Sequence, residues 1–145
     1  MIRRLAHLCL VTDDLPRMTE FYSKVLGFPI KFTFTNSDGE VFGHYFECGD
    51  SSFIEIFDRK LKLKQWGGEL EPLHRGGNCN HFCWEVTGLA EFRALLQNRG
   101  LSMSEIKSGM DQSLQTWTSD PDGNAIELME YTARSWQLCP PAKQA

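Results

Sequence analysis

His7 and Glu55 stand 48 positions apart, and His81 and Glu127 stand 46 apart, in closely similar local sequence. An imidazole and a carboxylate are ordinary ligands of a divalent cation. Two such pairs in one chain make a divalent-metal site the leading functional expectation, with His7, Glu55, His81 and Glu127 as its ligands.

The surroundings repeat as well. His7-Leu8-Cys9 matches His81-Phe82-Cys83 and Leu15 matches Leu89, each at an offset of 74. Leu26-Gly27-Phe28 matches Arg99-Gly100-Leu101 after a one-residue shortening, and Ile54-Glu55-Ile56-Phe57 mirrors Ile126-Glu127-Leu128-Met129. An internal duplication that preserves the candidate ligands carries more weight than any single motif.

The elements that must position these residues also come in the same order twice. Leu5 to Val11 is an apolar run of strand length. Asp13-Asp14 then gives a helix-start signal before Leu15, Met18, Phe21, Tyr22, Val25 and Leu26, which recur at helical spacing until Gly27 ends the helix. Residues 28 to 35, 41 to 48 and 52 to 57 read as strands, separated by the turn signals Asn36-Ser37-Asp38-Gly39 and Gly49-Asp50. The second half resumes with a strand from His81 to Val86, a helix from Leu89 to Arg99, and strands at 102 to 107, 114 to 119 and 125 to 131. Asp120-Pro121-Asp122-Gly123-Asn124 is a tight turn before the last of these.

Residues 1–57 and 79–131 are therefore expected to be two β-α-β-β-β modules, an α+β fold. Between them, 58–78 is rich in charge and carries Gly67-Gly68 and Gly76-Gly77, a connection that could also cover a site mouth through Trp66, Leu70 and Leu73. Residues 132–145, with Pro140-Pro141, read as a surface tail.

Strand alternation converts spacing into geometry. His7 shares a face with Leu5, Cys9 and Val11, and Glu55 with Phe53 and Phe57. Glu127 shares one with Ala125, Met129 and Tyr131. A carboxylate between apolar neighbours is costly to bury without compensation, and one cation would satisfy all four side chains at once.

Composition narrows the classes. At 145 residues the chain can bury a sizeable core, and its formal charge of −4 gives no electrostatic footprint for nucleic acid or an anionic membrane. Five cysteines, Cys9, Cys48, Cys79, Cys83 and Cys139, lack any C-x-x-C pair, which points to free thiols in a reducing cytoplasm. Neither a signal peptide nor a spanning segment is read.

The residues Phe21-Tyr22-Ser23-Lys24-Val25-Leu26-Gly27-Phe28 and Asp120-Pro121-Asp122-Gly123-Asn124, leading to Ile126-Glu127-Leu128, together with His7, Ile54-Glu55 and His81, resemble the vicinal oxygen chelate superfamily. It includes glyoxalase I, extradiol dioxygenases, fosfomycin-resistance thiol transferases, methylmalonyl-CoA epimerases and metal-free bleomycin-binding proteins. The resemblance spans residues 5 to 131 and implies two modules whose curled mixed sheets form a metal-centred cleft. It places the ligands on His7, Glu55, His81 and Glu127, a set suited to zinc, nickel, cobalt, manganese or ferrous iron with positions left open for water or substrate.

The activity so implied is that of a glyoxalase-like lyase or isomerase. The metal binds two neighbouring oxygens of a small substrate and stabilises an enediolate as a proton leaves the adjacent carbon. Glu127 is the first candidate to move that proton and Glu55 the second. The alternatives are ring-cleaving dioxygenase chemistry, thiol transfer, and metal-free binding of a planar molecule. Bacterial glyoxalase I carries an arginine and an asparagine that help hold glutathione where this chain has Val11 and Arg59, which weighs against glutathione as the substrate partner. Relatives often share metal sites between two chains, so a homodimer is expected.

The remaining candidates have blander readings. His44 is a sheet-face residue or a substrate contact, with Arg59 beside it as a second substrate contact. His74 belongs to the exposed connection. Cys9 and Cys83 read as buried, inert thiols. The aromatics Phe32, Phe34, Phe42, Tyr45, Trp84 and Trp117 read as core and cleft wall.

Overall fold

The computed structural model describes residues 3–74 and 79–139, and the chain divides into two compact units, Met1–His74 and Arg75–Ala145. The expected features at Gly76-Gly77 and Pro140-Pro141 lie outside the described residues. The fold is α+β, built on two four-stranded mixed sheets. Among the described residues no helix is long and apolar enough to cross a membrane.

In the first unit β1 (His7–Thr12) pairs in parallel with β4 (Ser52–Asp58), which is antiparallel to β3 (Val41–Gly49), itself antiparallel to β2 (Ile30–Thr35). Helix α1 (Leu15–Glu20) starts where Asp14 Oδ1 accepts the amide of Arg17 at 3.1 Å, satisfying one of the amides a helix start leaves open. It runs on as a π-helical turn, Phe21–Val25, and the chain leaves it at Gly27 with φ of 85°. Asn36 Oδ1 holds the β2–β3 turn by accepting from the amides of Asp38 and Glu40. Asp50 and Ser51, both at positive φ, make the tight β3–β4 connection.

One face of this sheet is covered. Ile54, Ile56 and Phe46 are buried there with Leu15, Met18 and Tyr22, and the Tyr22 and Phe46 rings lie 5.8 Å apart. The other face carries His7, Cys9, Glu55 and Tyr45, because paired residues in a ladder point the same way and the register sets Cys9 and Tyr45 opposite Glu55.

The expected connection after Asp58 is instead a helix, α2 (Arg59–Trp66). Asp58 Oδ1 caps it, accepting from Lys60 and Leu61, and Gly67 ends it. Its charged sequence buries no residue completely, so the apolar stripe by which a helix is usually read is missing. It docks instead through Trp66, whose ring lies 5.1 Å from that of Phe57 and 5.2 Å from that of Phe42.

The second unit repeats the plan, with β5 (Phe82–Glu85), α3 (Leu89–Asn98), β6 (Lys107–Ser108), β7 (Leu114–Ser119) and β8 (Ala125–Glu130) in the sheet order β5-β8-β7-β6. Ile126, Leu128 and Thr116 are buried on one face; Cys83, Trp117 and Glu127 occupy the other. The strand expected over 102–107 shrinks to Lys107–Ser108. There the Ser104 amide still donates to the Trp117 carbonyl at 2.9 Å, but the Trp117 amide donates to Ser104 Oγ at 2.9 Å, so a side chain takes half of the ladder. Asp120 closes the turn before β8 by accepting from the amides of Asp122 and Asn124.

Candidate metal centre

Parallel pairing of the first and last strands of each unit brings together residues far apart in sequence. His7 is opposite Phe53 and Cys9 opposite Glu55, so the imidazole reaches along its strand to the carboxylate. His7 Nε2 lies 3.8 Å from Glu55 Oε2. In the second unit His81 immediately precedes β5, and its Nε2 lies 3.2 Å from Glu127 Oε2. The carboxylates are the sheltered partners: the Glu55 and Glu127 side chains are 16% and 10% exposed, against 43% and 32% for His7 and His81.

Each histidine rests against an aromatic ring from the strand on the far side of the glutamate. Tyr45 meets His7 edge-on at 5.7 Å, and Trp117 meets His81 edge-on at 4.8 Å. Tyr45 pairs with Glu55 and Trp117 with Glu127. Both were expected only as core or cleft wall. The sequence held a finer signal, since each aromatic precedes its glutamate by ten residues.

Cys9 and Cys83 complete the repeated set. They are exposed rather than buried as expected. Each thiol is nevertheless pushed up to about 12, by desolvation first and by the adjacent carboxylate, Glu55 or Glu127, second. Both therefore stay protonated at neutral pH. Asn80 Nδ2 lies 3.3 Å from His81 Nδ1; the imidazole tautomer and the amide orientation decide which group donates.

The other candidates fall elsewhere. His44 pairs with Ile56, which puts it on the covered face of the sheet, opposite to Glu55. Its Nδ1 lies 3.0 Å from Thr33 Oγ1, and desolvation lowers its pKa. Arg59 is engaged by Asp13, to whose carboxylate it donates through Nε at 3.0 Å and through a terminal nitrogen at 2.6 Å, and by the Glu71 carbonyl. His74 is exposed.

The donor set fits a divalent cation. Ligand bonds of about 2.0–2.2 Å bring neighbouring donors roughly 3 Å apart, near the 3.2 Å of the second pair and closer than the 3.8 Å of the first. The pairs alone are incomplete: among the described residues no three His, Cys, Asp or Glu side chains are grouped to hold a metal ion.

A model of the Glyoxalase/Bleomycin resistance protein/Dioxygenase superfamily matches residues 4–128. Among solved structures, the chain is similar to a lactoylglutathione lyase from Agrobacterium tumefaciens at 19% identity and a TM-score of 0.65, covering 88% of this chain and 92% of that one. A glyoxalase/bleomycin resistance protein/dioxygenase from Nocardioides is 20% identical with a TM-score of 0.71, over 100% of this chain and 91% of that one. A protein from the mobile metagenome of V. pseudocholerae is 27% identical with a TM-score of 0.65, over 91% and 97%. Identities of 19% and 20% show a common fold and nothing finer.

Proposed function

Because the chain belongs to the Glyoxalase/Bleomycin resistance protein/Dioxygenase superfamily, we propose that it is a metal-dependent lyase or isomerase acting on a small substrate with two vicinal oxygens. His7, Glu55, His81 and Glu127 hold the cation in this reading. The observation that carries it is the duplicated imidazole–carboxylate pair, at 3.8 Å in one unit and 3.2 Å in the other. Two donors are fewer than the three or four protein ligands a catalytic cation takes, so the two pairs combine, within one chain or across a homodimer. A monomer by light scattering in the metal-loaded, active protein would reject the cross-chain form.

A divalent cation held there supplies Lewis acidity to the two substrate oxygens. The protein's part is proton transfer and positioning. Glu127 receives the proton from the substrate carbon and returns it to the neighbouring one, and its shelter from solvent keeps that proton from exchanging freely. Glu55 is the second carboxylate able to do so. Tyr45 and Trp117 fix the imidazole planes from the side, and the S–H groups of Cys9 and Cys83 stand beside the carboxylates as neutral donors. Val11 and the engaged Arg59 favour a substrate without glutathione.

The test is metal analysis of the purified protein, followed by a screen of the metal-loaded form against hemithioacetals, 2-oxo acids, acyl-CoA epimers and catechols. Chelation abolishes turnover if the proposal holds. Ring opening of a catechol would move the assignment to a dioxygenase, and dependence on a thiol donor and an epoxide would move it to a thiol transferase.

One observation favours a second reading, metal-free binding of a planar molecule. Phe32 is 47% exposed and stacks on Tyr45 at 4.7 Å with planes 13° apart, an aromatic platform beside Glu55. In that case the protein carries no metal and binding survives chelation.

A further inference from the structure

On the covered side of the first sheet, away from Glu55, a recess of about 640 Å³ opens between α1 with its π-helical turn and the start of α2, within the range of small-molecule sites. Leu15, Val41 and Leu61 supply its apolar wall. Its polar groups are unevenly balanced. The Thr19 and Ser23 hydroxyls donate to the carbonyls of Leu15 and Thr19, at 2.7 and 2.6 Å, and so offer only lone pairs to a ligand. Lys24 lies 3.6 Å from Glu20, and the two charges offset one another.

That leaves Asp58. Its Oδ1 is occupied by the amides of Lys60 and Leu61, while Oδ2 takes no hydrogen bond from any described residue. His44, also in the wall, adds no compensating charge, since desolvation favours its neutral form. The recess is thus apolar, rich in acceptors, and carries one carboxylate that has no ion pair with a described residue and keeps one oxygen outside the helix cap. The π-helical turn contributes Ser23 and Lys24 to it, and such turns recur at functional sites.

We propose that this recess is a second small-molecule site, separate from the candidate metal centre, and that it takes an amphiphilic amine: a ring-sized apolar body against Leu15, Val41 and Leu61 with a protonated nitrogen at Asp58 Oδ2. The site does not depend on a bound metal, so it is tested in protein stripped by a chelator.

Tryptamine is the probe, compared by calorimetric titration with its neutral analogue tryptophol and its anionic analogue indole-3-acetate, with the His44 ring protons followed by NMR. Tryptamine is expected to saturate the protein and shift the His44 signals, and tryptophol to bind about tenfold or more weakly, as loss of a charged hydrogen bond requires. Asp58→Asn retains the helix cap, because asparagine caps as well as aspartate, and is expected to weaken tryptamine by a similar factor without changing tryptophol. Val41→Trp, at a half-exposed position on the rim, is expected to block all three. Absence of saturable tryptamine binding, equal binding of tryptophol, or unchanged affinity in both variants would each overturn the proposal.

Discussion

Glu127 Oε2 lies 3.2 Å from His81 Nε2 in a side chain only 10% exposed, which makes the second unit's pair both the closer and the more sheltered of the two. Glu127→Gln keeps the shape of the side chain and removes its charge. Cation affinity should fall at least about 100-fold, beyond the usual cost of losing a residue that merely supports a ligand. Glu55→Gln should do the same. Competition titration against a chromophoric chelator, with circular dichroism to confirm the fold, measures both.

Asn80 is the group placed to orient His81 through Nδ1. When Nε2 binds a cation, Nδ1 carries the proton and the Asn80 amide oxygen accepts it. Asn80→Leu should weaken cation binding by about 10-fold, and Asn80→Asp should restore it. Equal affinity in all three proteins would show that Asn80 has no such role.

Cys9 and Cys83 are exposed yet held protonated, with pKa values of about 12. Thiolate is the species that alkylates. In metal-free protein at pH 8 both should react with iodoacetamide far more slowly than an unstructured cysteine peptide. Replacing the adjacent carboxylate, as in Glu55→Gln, should speed reaction at Cys9 alone. Peptide mass spectrometry over a time course resolves each site.

Gly43 sits opposite Phe57 in the ladder, with the Phe57 ring over its Cα. A Cβ there would collide with that ring and stand 2.9 Å from the Ile56 carbonyl oxygen. Gly43→Ala should cost roughly 1–3 kcal/mol, the range for overpacking a filled core. The double variant Gly43→Ala with Phe57→Leu should recover part of the loss in denaturant unfolding.

Helix α3 has no side-chain cap of its own, since Gly88 stands at its start. Glu130, from β8, accepts the amides of Leu89 at 3.0 Å and Gly88 at 2.8 Å, and these bonds lower its pKa below 4.5. Its contribution to stability is therefore complete above about pH 4.5 and lost as pH falls through the lower folded value. Glu130→Gln should lower stability above pH 6 and flatten the acid limb, so that the two proteins converge at low pH. Urea titrations at a series of pH values test this.

What could be read in the sequence was whatever local chemistry decides. Asp14 as a helix cap, Gly27 as a helix end, the bounds of β7 and the turn built on Asp120 all follow from short-range hydrogen bonding and backbone preference. The placement of His7 beside Glu55 and of His81 beside Glu127 was legible because the chain writes it twice. Helix α2 was not, because what holds it lies far away in sequence: Trp66 meets a distant aromatic cluster, Arg59 pairs with Asp13, and Lys64 pairs with Asp38 and Glu40. Its start was nonetheless signposted by Asp58 and an eight-residue run free of glycine and proline. His44 could not be assigned to a face without knowing the register of β3 against β4, since a shift of one residue reverses every side chain. The engagement of Arg59 with Asp13, 46 positions away, had no local signature at all.

The two copies of the module keep the histidine, cysteine and glutamate but not what lies next to them. Beside Glu55 the sheet presents Phe32, Tyr45 and Phe53; the strands beside Glu127 present Gln115, Trp117 and Met129. Divergence has thus left the surroundings of Glu55 aromatic and those of Glu127 able to hydrogen-bond, while each unit kept its imidazole–carboxylate pair. On the proposed reading, the side chains that would grip a cation and those that would choose its companion can change separately, so selection or design could retune the surroundings and leave the chemistry of the donors alone.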